Sequence, residues 1–212
     1  MSQDSGEFPY VFAYDITSNA RRAEVLKCLK RWRVGGQYSV HETWLRTFQV
    51  RDLSAEILGL VDREADSVLV CRLSQRQAKP VYQVQHQQQV SPLVGKIQPG
   101  PVPAQLVNGW YLFCYDIREN RRLQKIQRAT AKQAYSLQRS VYLFQGNGAI
   151  LKKLITQVSD LMKDDDDLRI YVLASPSDIW FLTHDAPPLP QFQKQQAAKK
   201  EGLWQKLLTW FR

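Results

Sequence analysis

"YVFAYDITSNARR" at residues 10–22 returns as "YLFCYDIRENRRL" at residues 111–123. Each stretch is an apolar run that ends in Asp, crosses a short polar turn and opens into a segment led by arginines. Residues 10–14 are apolar at every position, which predicts a strand buried on both faces rather than an amphipathic one. After it, Thr17 or Ser18 can cap a helix on which Val25, Leu29 and Trp32 recur at helical spacing.

The recurrence extends well beyond these motifs. At an offset of 101, Asn19 and Arg21 meet Asn120 and Arg122, and Gln37, Ser39 and Val40 meet Gln138, Ser140 and Val141. Leu53, Leu60, Asp66 and Ser74 then meet Leu154, Leu161, Asp167 and Ser175 with no gap. Self-similarity at a fixed offset marks a duplicated structural unit. Each copy, about 75 residues long, reads as strand, helix, strand, strand, helix, strand. "QYSVHETWL" and "LRTFQV" are read as a hairpin, its turn clearest in the second copy as "GNG" at 146–148. Leu53, Ile57, Leu60 and Val61 mark the second helix, and "SVLVCRL" and "LRIYVLA" close the copies as strands.

This βαββαβ order predicts an α+β protein of two tandem ferredoxin-like domains. Two helices cover only one face of each sheet, so the other face should pack on the sister sheet as a pseudo-two-fold dimer. The expected divisions are unit 1 at 1–78, an edge strand and Gln/Pro-rich linker at 79–108, unit 2 at 109–185, and a basic tail at 186–212. "VYQVQHQ" at 81–87 and "DIWFLTH" at 178–184 read as matching edge strands. In the tail, Leu203, Trp204, Leu207, Trp210 and Phe211 suggest an amphipathic helix that binds a partner.

Composition narrows the function classes. The net charge is +9, from 29 basic and 20 acidic side chains, and the excess is bunched. Residues 19–33 hold Arg21, Arg22, Lys27, Lys30, Arg31 and Arg33 against Glu24 alone. Residues 118–139 hold Arg118, Arg121, Arg122, Lys125, Arg128, Lys132 and Arg139 against Glu119 alone. Such clusters are the footprint of a polyanion binder. Three scattered cysteines form neither a disulfide framework nor a zinc site, which predicts a cytoplasmic protein. No stretch is apolar for the length of a membrane span, and the polar start "MSQDSGEF" is unlike a secretory signal. His41, His86 and His184 lack metal spacing, and "VGK" at 94–96 lacks the rest of a phosphate loop. Asp164 to Asp167 read as a solvated turn.

"YDITSNARR", "QYSV" and "DSVLV", followed by "YDIRENRR", "QRSV" and "DLRIYV", resemble the CRISPR-associated protein 2 family across nearly all of both units. The usual family member is one unit that homodimerises, whereas this chain holds two copies, as an intramolecular pseudo-dimer or a swapped homodimer. The resemblance implies an adaptor of CRISPR spacer acquisition. Such an adaptor binds duplex DNA and bridges subunits of the integrase, CRISPR-associated protein 1, whether free or fused to further domains. The DNA-facing cations are expected to be Arg21, Arg22, Lys27, Arg31, Arg118, Arg121, Arg122, Lys125 and Arg128.

The resemblance also implies an alternative, an endonuclease acting on RNA or DNA in which Asp15 and Asp116 hold Mg²⁺ as the catalytic and metal-binding pair. The blander reading is that each Asp ends a strand and caps a turn. An isolated toxin-like ribonuclease and an open-sheet RNA-binding module share the topology. The latter needs an aromatic motif on the third strand that is missing here.

Overall fold

The computed structural model describes residues 6–74, the backbone of 82–85, and residues 108–183. The first unit runs β1 (Phe8–Asp15), α1 (Asn19–Lys30), β2 (Arg33–Gly36), β3 (Val40–Leu45), α2 (Thr47–Leu58) and β4 (Ser67–Arg72). A further strand, β5 (Tyr82–Gln85), precedes the second unit. That unit repeats the order as β6 (Gly109–Asp116), α3 (Asn120–Ala131), β7 (Tyr135–Gln138), β8 (Val141–Gly146), α4 (Gly148–Ser159) and β9 (Asp167–Leu173), and β10 (Ile179–Phe181) follows it. No described helix is long and apolar enough to cross a membrane.

The β1 sequence explains the layering. Every residue from Phe8 to Tyr14 is buried, and alternation sends the side chains to two different cores. Tyr10, Phe12 and Tyr14 join Val25, Leu29, Leu53 and Ile57 beneath the helices. Val11 and Ala13 point the other way, into a core shared with Leu112, Cys114, Leu143 and Leu173 of the second unit. In β6, Tyr111, Phe113 and Tyr115 fill the second helix-covered core in the same way. Bulky aromatics thus fill the sheet–helix layer, and smaller residues let the two sheets approach. The chain is a tandem pair of ferredoxin-like units packed sheet on sheet, as the sequence predicts.

The sheet orders are β10-β4-β1-β3-β2 and β5-β9-β6-β8-β7, antiparallel throughout. Each edge strand follows its own unit in sequence but joins the other unit's sheet: β5 pairs with β9, and β10 pairs with β4. In this structure both exchanges lie within one chain.

Three local expectations need correction. "LRTFQV" is not the second arm of a hairpin: helix α2 begins at Thr47, and the Gln49 side chain accepts from the Arg46 N–H at 2.8 Å. "GNG" is likewise a helix start, because Asn147 Oδ1 accepts from the Ile150 N–H at 2.9 Å as an N-cap. The hairpin lies earlier, between β2 and β3. There Gly36 takes φ 122°, and a Cβ would lie 2.1 Å from the Val40 carbonyl oxygen.

The third correction concerns register. Tyr10 pairs with Arg72 and Tyr111 with Val172, so β1 and β6 differ by 101 residues while β4 and β9 differ by 100. The loop before the last strand is one residue shorter in unit 2, and the structural partner of Asp66 is Asp166, not Asp167. Asp166 is fully buried, so the acidic run is a solvated turn only at Asp164 and Asp165. Linker residues 79–81 and 86–107 (His86 among them), His184 and the tail with Leu203, Trp204, Leu207, Trp210 and Phe211 lie outside the described residues.

Candidate nucleic-acid interface and carboxylate cleft

Strands β1 and β6 both end in aspartate, and the sheet-on-sheet packing brings those ends to one cleft of about 270 Å³. Asp15 and Asp116 line it with Ser39 and Ser140 from the two hairpin turns, Arg22 from α1, Asn120 from α3, and Tyr38 and Arg139. The walls are unequal: Arg22 corresponds to Leu123 at the offset of 101, and Tyr38 to Arg139. Arg22 is held by donating to the Ile16 carbonyl at 2.7 Å and to Asn19 Oδ1 at 3.1 Å.

The carboxylates differ as well. Asp15 is exposed and sits opposite Ser67, whereas Asp116 is half-buried and sits opposite Asp167. Burial pushes the Asp116 carboxyl up. The Arg118 guanidinium, 4.0 Å away, opposes this, and the charges of Asp167 and Asp166 reinforce it. Asp167 is also raised, chiefly by burial, with Arg169 and Gln37 opposing. Among the described residues no cluster of three or more His, Cys, Asp or Glu assembles to hold a metal. The donor set for a cation is therefore two carboxylates with neighbouring hydroxyls. That suits Mg²⁺, which keeps water and takes phosphate oxygens as its remaining ligands.

Two of the expected DNA-facing arginines are ion-paired within the fold. Arg21 grips Asp66 through Nε at 2.6 Å and Nη2 at 3.1 Å. Asp66 also accepts from the Thr17 and Asp62 backbone N–H groups, each at 3.0 Å. Arg122, 7% exposed, repeats this with Asp166 at 2.6 and 3.0 Å and adds Asp165 at 3.1 Å. Arg118 and Lys163 backbone N–H groups complete the Asp166 shell. Each tie fastens the start of the first helix to the loop before the last strand. Arg122 is buried and Arg21 about one-third exposed, and in both the carboxylate occupies Nε and Nη2 of the fork. Arg31 is exposed but paired with Glu56.

The cations that remain lie mostly on α3. Arg121, Lys125, Arg128 and Lys132 follow one another at intervals of three or four residues, all exposed. No carboxylate of the described residues is ion-paired to any of them. Arg128 and Arg139 also border an open groove of about 520 Å³ between α3 and the β7–β8 hairpin, with Gln124, Gln127, Ser136 and Tyr142. The matching places on α1 hold Ala20, Glu24, Lys27 and Arg31. Only Lys27 there is an exposed cation with no ion pair among the described residues.

Arg139, Asn120 and the two serines were not singled out by sequence reasoning as cleft residues. The signal was present, since Arg139 and Ser140 form the centre of "QRSV", but only the packing shows that this turn faces Asp15 and Asp116.

Comparison with known proteins finds one family twice along the chain. The family model described as CRISPR associated protein Cas2 matches residues 9–81 and again 109–178. A relative named CRISPR-associated endoribonuclease Cas2 1 from Nitrosomonas europaea is 41% identical over 64 residues, covering 30% of this chain and 61% of the relative. CRISPR-associated endoribonuclease Cas2 3 from Chloroflexus aurantiacus is 40% identical over 65 residues, covering 31% and 70%. The Cas2 endoribonuclease of Allochromatium vinosum is 41% identical over 59 residues, covering 28% and 63%. Among solved structures, hypothetical protein TT1823 of Thermus thermophilus matches 44% of this chain and 99% of its own length at 26% identity and TM-score 0.32. Streptococcus pyogenes Cas2 matches 31% and 86% at 18% identity and TM-score 0.30.

Proposed function

The chain belongs to the CRISPR associated protein Cas2 family, and from that premise we propose that it is a fused, non-catalytic adaptor of spacer acquisition. It lays duplex DNA along its basic helices and bridges subunits of the CRISPR-associated protein 1 integrase. The observation that carries the DNA-binding part is the α3 stripe: four exposed cations in a row, unpaired among the described residues. Long, flexible cationic side chains at helical spacing suit a regular array of phosphates and read no base edges, so they position a duplex of any sequence. The family's usual homodimer presents two equal helices. Here the second unit supplies most of the grip.

The test is duplex binding by fluorescence anisotropy as salt is raised, comparing wild type with Arg121→Ala/Lys125→Ala/Arg128→Ala. Each lost phosphate contact lowers the log–log salt slope by about 0.9. The triple variant should therefore lose about 2.7 from the slope if all three side chains touch phosphate. An unchanged slope, or wild-type binding indifferent to salt, refutes the assignment.

A second reading rests on a separate observation, the convergence of Asp15 and Asp116 on one cleft beside Arg22 and Arg139, and on the relatives' printed name of endoribonuclease. In this reading the two carboxylates hold Mg²⁺, which would stabilise phosphate charge and lower the pKa of a bound water. Arg22 and Arg139 would orient the phosphodiester, and the Ser39 and Ser140 hydroxyls would donate to it. Cleavage of RNA and DNA in Mg²⁺ by wild type but not by Asp15→Ala/Asp116→Ala supports this role. Spacer integration that proceeds equally with both proteins supports the adaptor.

A further inference from the structure

The inner faces of the two sheets meet in a mainly apolar core, yet a cluster of charged and polar groups is buried on one side of it. Glu42 Oε1 on β3 accepts from Arg169 Nη1 on β9 at 2.8 Å and from the Tyr171 hydroxyl at 2.7 Å. All three are at most 9% exposed. Arg169 also reaches Asp167 at 3.4 Å, and Asp167 accepts from Gln37 of the first unit at 2.8 Å. Gly35, opposite Glu42 in the ladder, makes room for the carboxylate: a Cβ there would stand 2.3 Å from Glu42 Oε2.

Strand register identifies the pseudo-symmetric counterparts. Val11 faces Glu42 as Leu112 faces Leu143, so Leu143 replaces Glu42. Ala13 faces Leu69 as Cys114 faces Arg169, and Val11 faces Cys71 as Leu112 faces Tyr171. The position opposite Leu143 is filled by Tyr135 rather than glycine. One contact is retained on both sides. Gln138 reaches the Ala13 carbonyl and Ser67 Oγ just as Gln37 reaches the Cys114 carbonyl and Asp167. The ionic contact alone is one-sided.

We propose that Glu42, Arg169 and Tyr171 form a pairing code that commits each unit's inner face to the unlike unit. Two first-unit faces brought together would bury two Glu42 carboxylates against Leu69 and Cys71, with no cation. Two second-unit faces would bury two Arg169 guanidiniums against Leu143, each without Glu42 and left with the longer contact to Asp167 of its own strand. An ion without its partner in such a core is strongly unfavourable, whereas an all-apolar replacement is tolerated. The code therefore acts against wrong partners more than it strengthens the right one. The partner that the first-unit face fits is this chain's own second unit, and a second copy can join only by exchanging whole unlike units.

Full-length Glu42→Leu and Arg169→Leu test this, each placing the sister unit's own residue at the site. Arg169→Leu should lower Tm by on the order of 10 °C, because Glu42 loses its cation, and Glu42→Leu/Arg169→Leu should recover most of that loss. The decisive measurement co-refolds the two single variants from denaturant and weighs the products by native mass spectrometry. Exchange would bring the two substituted faces together and reunite Glu42 of one chain with Arg169 of the other. A two-chain species with one copy of each variant should therefore appear. Neither variant refolded alone gains anything by exchange. A mixture that behaves as the sum of its parts overturns the proposal, as does an Arg169→Leu chain that melts at the wild-type temperature.

Discussion

His41 should make the stability of this protein fall between pH 7 and pH 5, and replacing it by tyrosine should flatten that response. The imidazole is fully buried, stacked on Tyr14 with centroids 5.4 Å apart, with Nε2 3.3 Å from the Tyr14 hydroxyl. That hydroxyl donates to the Tyr38 carbonyl at 3.2 Å, so it accepts from an Nε2–H and leaves Nδ1 bare. Among the described residues no partner meets Nδ1. Protonation would place a donor there with nothing to receive it. Burial, with the charges of Arg33 and Lys30, brings the pKa down to about 3.

The sign follows from linkage. The unfolded chain takes up the proton near pH 6.5 and the folded one does not, so the stabilisation is present above pH 6.5 and lost as pH falls. Between pH 7 and pH 5 the loss integrates to about 2 kcal/mol, and any folded value below about 4 gives the same figure. That corresponds to a Tm decrease of about 4–8 °C for a chain of this size. The second unit carries Tyr142 at the equivalent place, stacked on Tyr115 at 5.8 Å, so His41→Tyr has a precedent within the same fold. Asp116 and Asp167, whose raised carboxyls act in the opposite sense, are common to both proteins and cancel in the difference. Calorimetry at pH 7, 6 and 5 reads the slope even if the substitution shifts the absolute Tm. Equal slopes for wild type and His41→Tyr would refute the argument.

Arg122→Ala should cost about 3–5 kcal/mol in denaturant unfolding, because it strands the buried Asp166 carboxylate. Arg121→Ala, one residue away on an exposed face, should stay within about 0.5 kcal/mol yet weaken duplex binding. The Arg21 guanidinium, with backbone donors, holds the Asp66 carboxyl well below the usual range; at Asp166 burial pushes upward, but Arg122 and backbone donors outweigh it. The stability from both ties is complete above the ordinary carboxylate pKa and is lost as pH falls below about 4, steepening acid unfolding. Asp116→Asn should raise Tm at pH 7, since the ionised carboxylate is disfavoured in the fold. The gain should vanish on acidification, and an Asp116→Asn chain no more stable than wild type at pH 7 would contradict the electrostatic reading.

How much of this was legible in the sequence depended on whether a contact is local. The alternation of "YVFAYDI" records both cores at once, large side chains toward the helices and small ones toward the sister sheet, so the fold and its pairing could be read from seven residues. Capping is equally local, but "GNG" fits a turn and an N-cap alike, and only the position of the preceding strand decides between them. The offset of 101 was sound as far as α2 and α4, then slipped by one residue in a loop that carries no strong pattern, and the slip disguised Asp166 as a surface residue. The arginines show the limit most plainly. Arg121 and Arg122 are neighbours of the same type in one basic cluster, yet helix geometry turns one outward and the other onto a buried carboxylate forty-four residues away. Charge count identified the cluster; only the packing separates its exposed members from its buried ones.

The same separation explains what duplication has allowed. In a homodimer every residue of the interface and of the DNA-facing helices occurs twice, so a change that suits one side is imposed on the other. Fusion removes that constraint. The features that still match across the axis are those both units need to fold: the aromatic strand, the Arg–Asp tie and the crossing glutamines at 37 and 138. Besides the cleft walls and the His41–Tyr142 exchange, the differences include two surfaces. One is the inner face, where Glu42 and Arg169 stand where the sister unit has leucines. The other is the outer helix face, where α3 and its C-cap carry four exposed cations with no ion pair among the described residues and the matching places of α1 carry one. Those are the surfaces that decide what each half binds. The proposed reading, a duplex held mainly by unit 2 and a sheet face reserved for the unlike unit, requires two such surfaces that are free to differ, and a fused chain provides them.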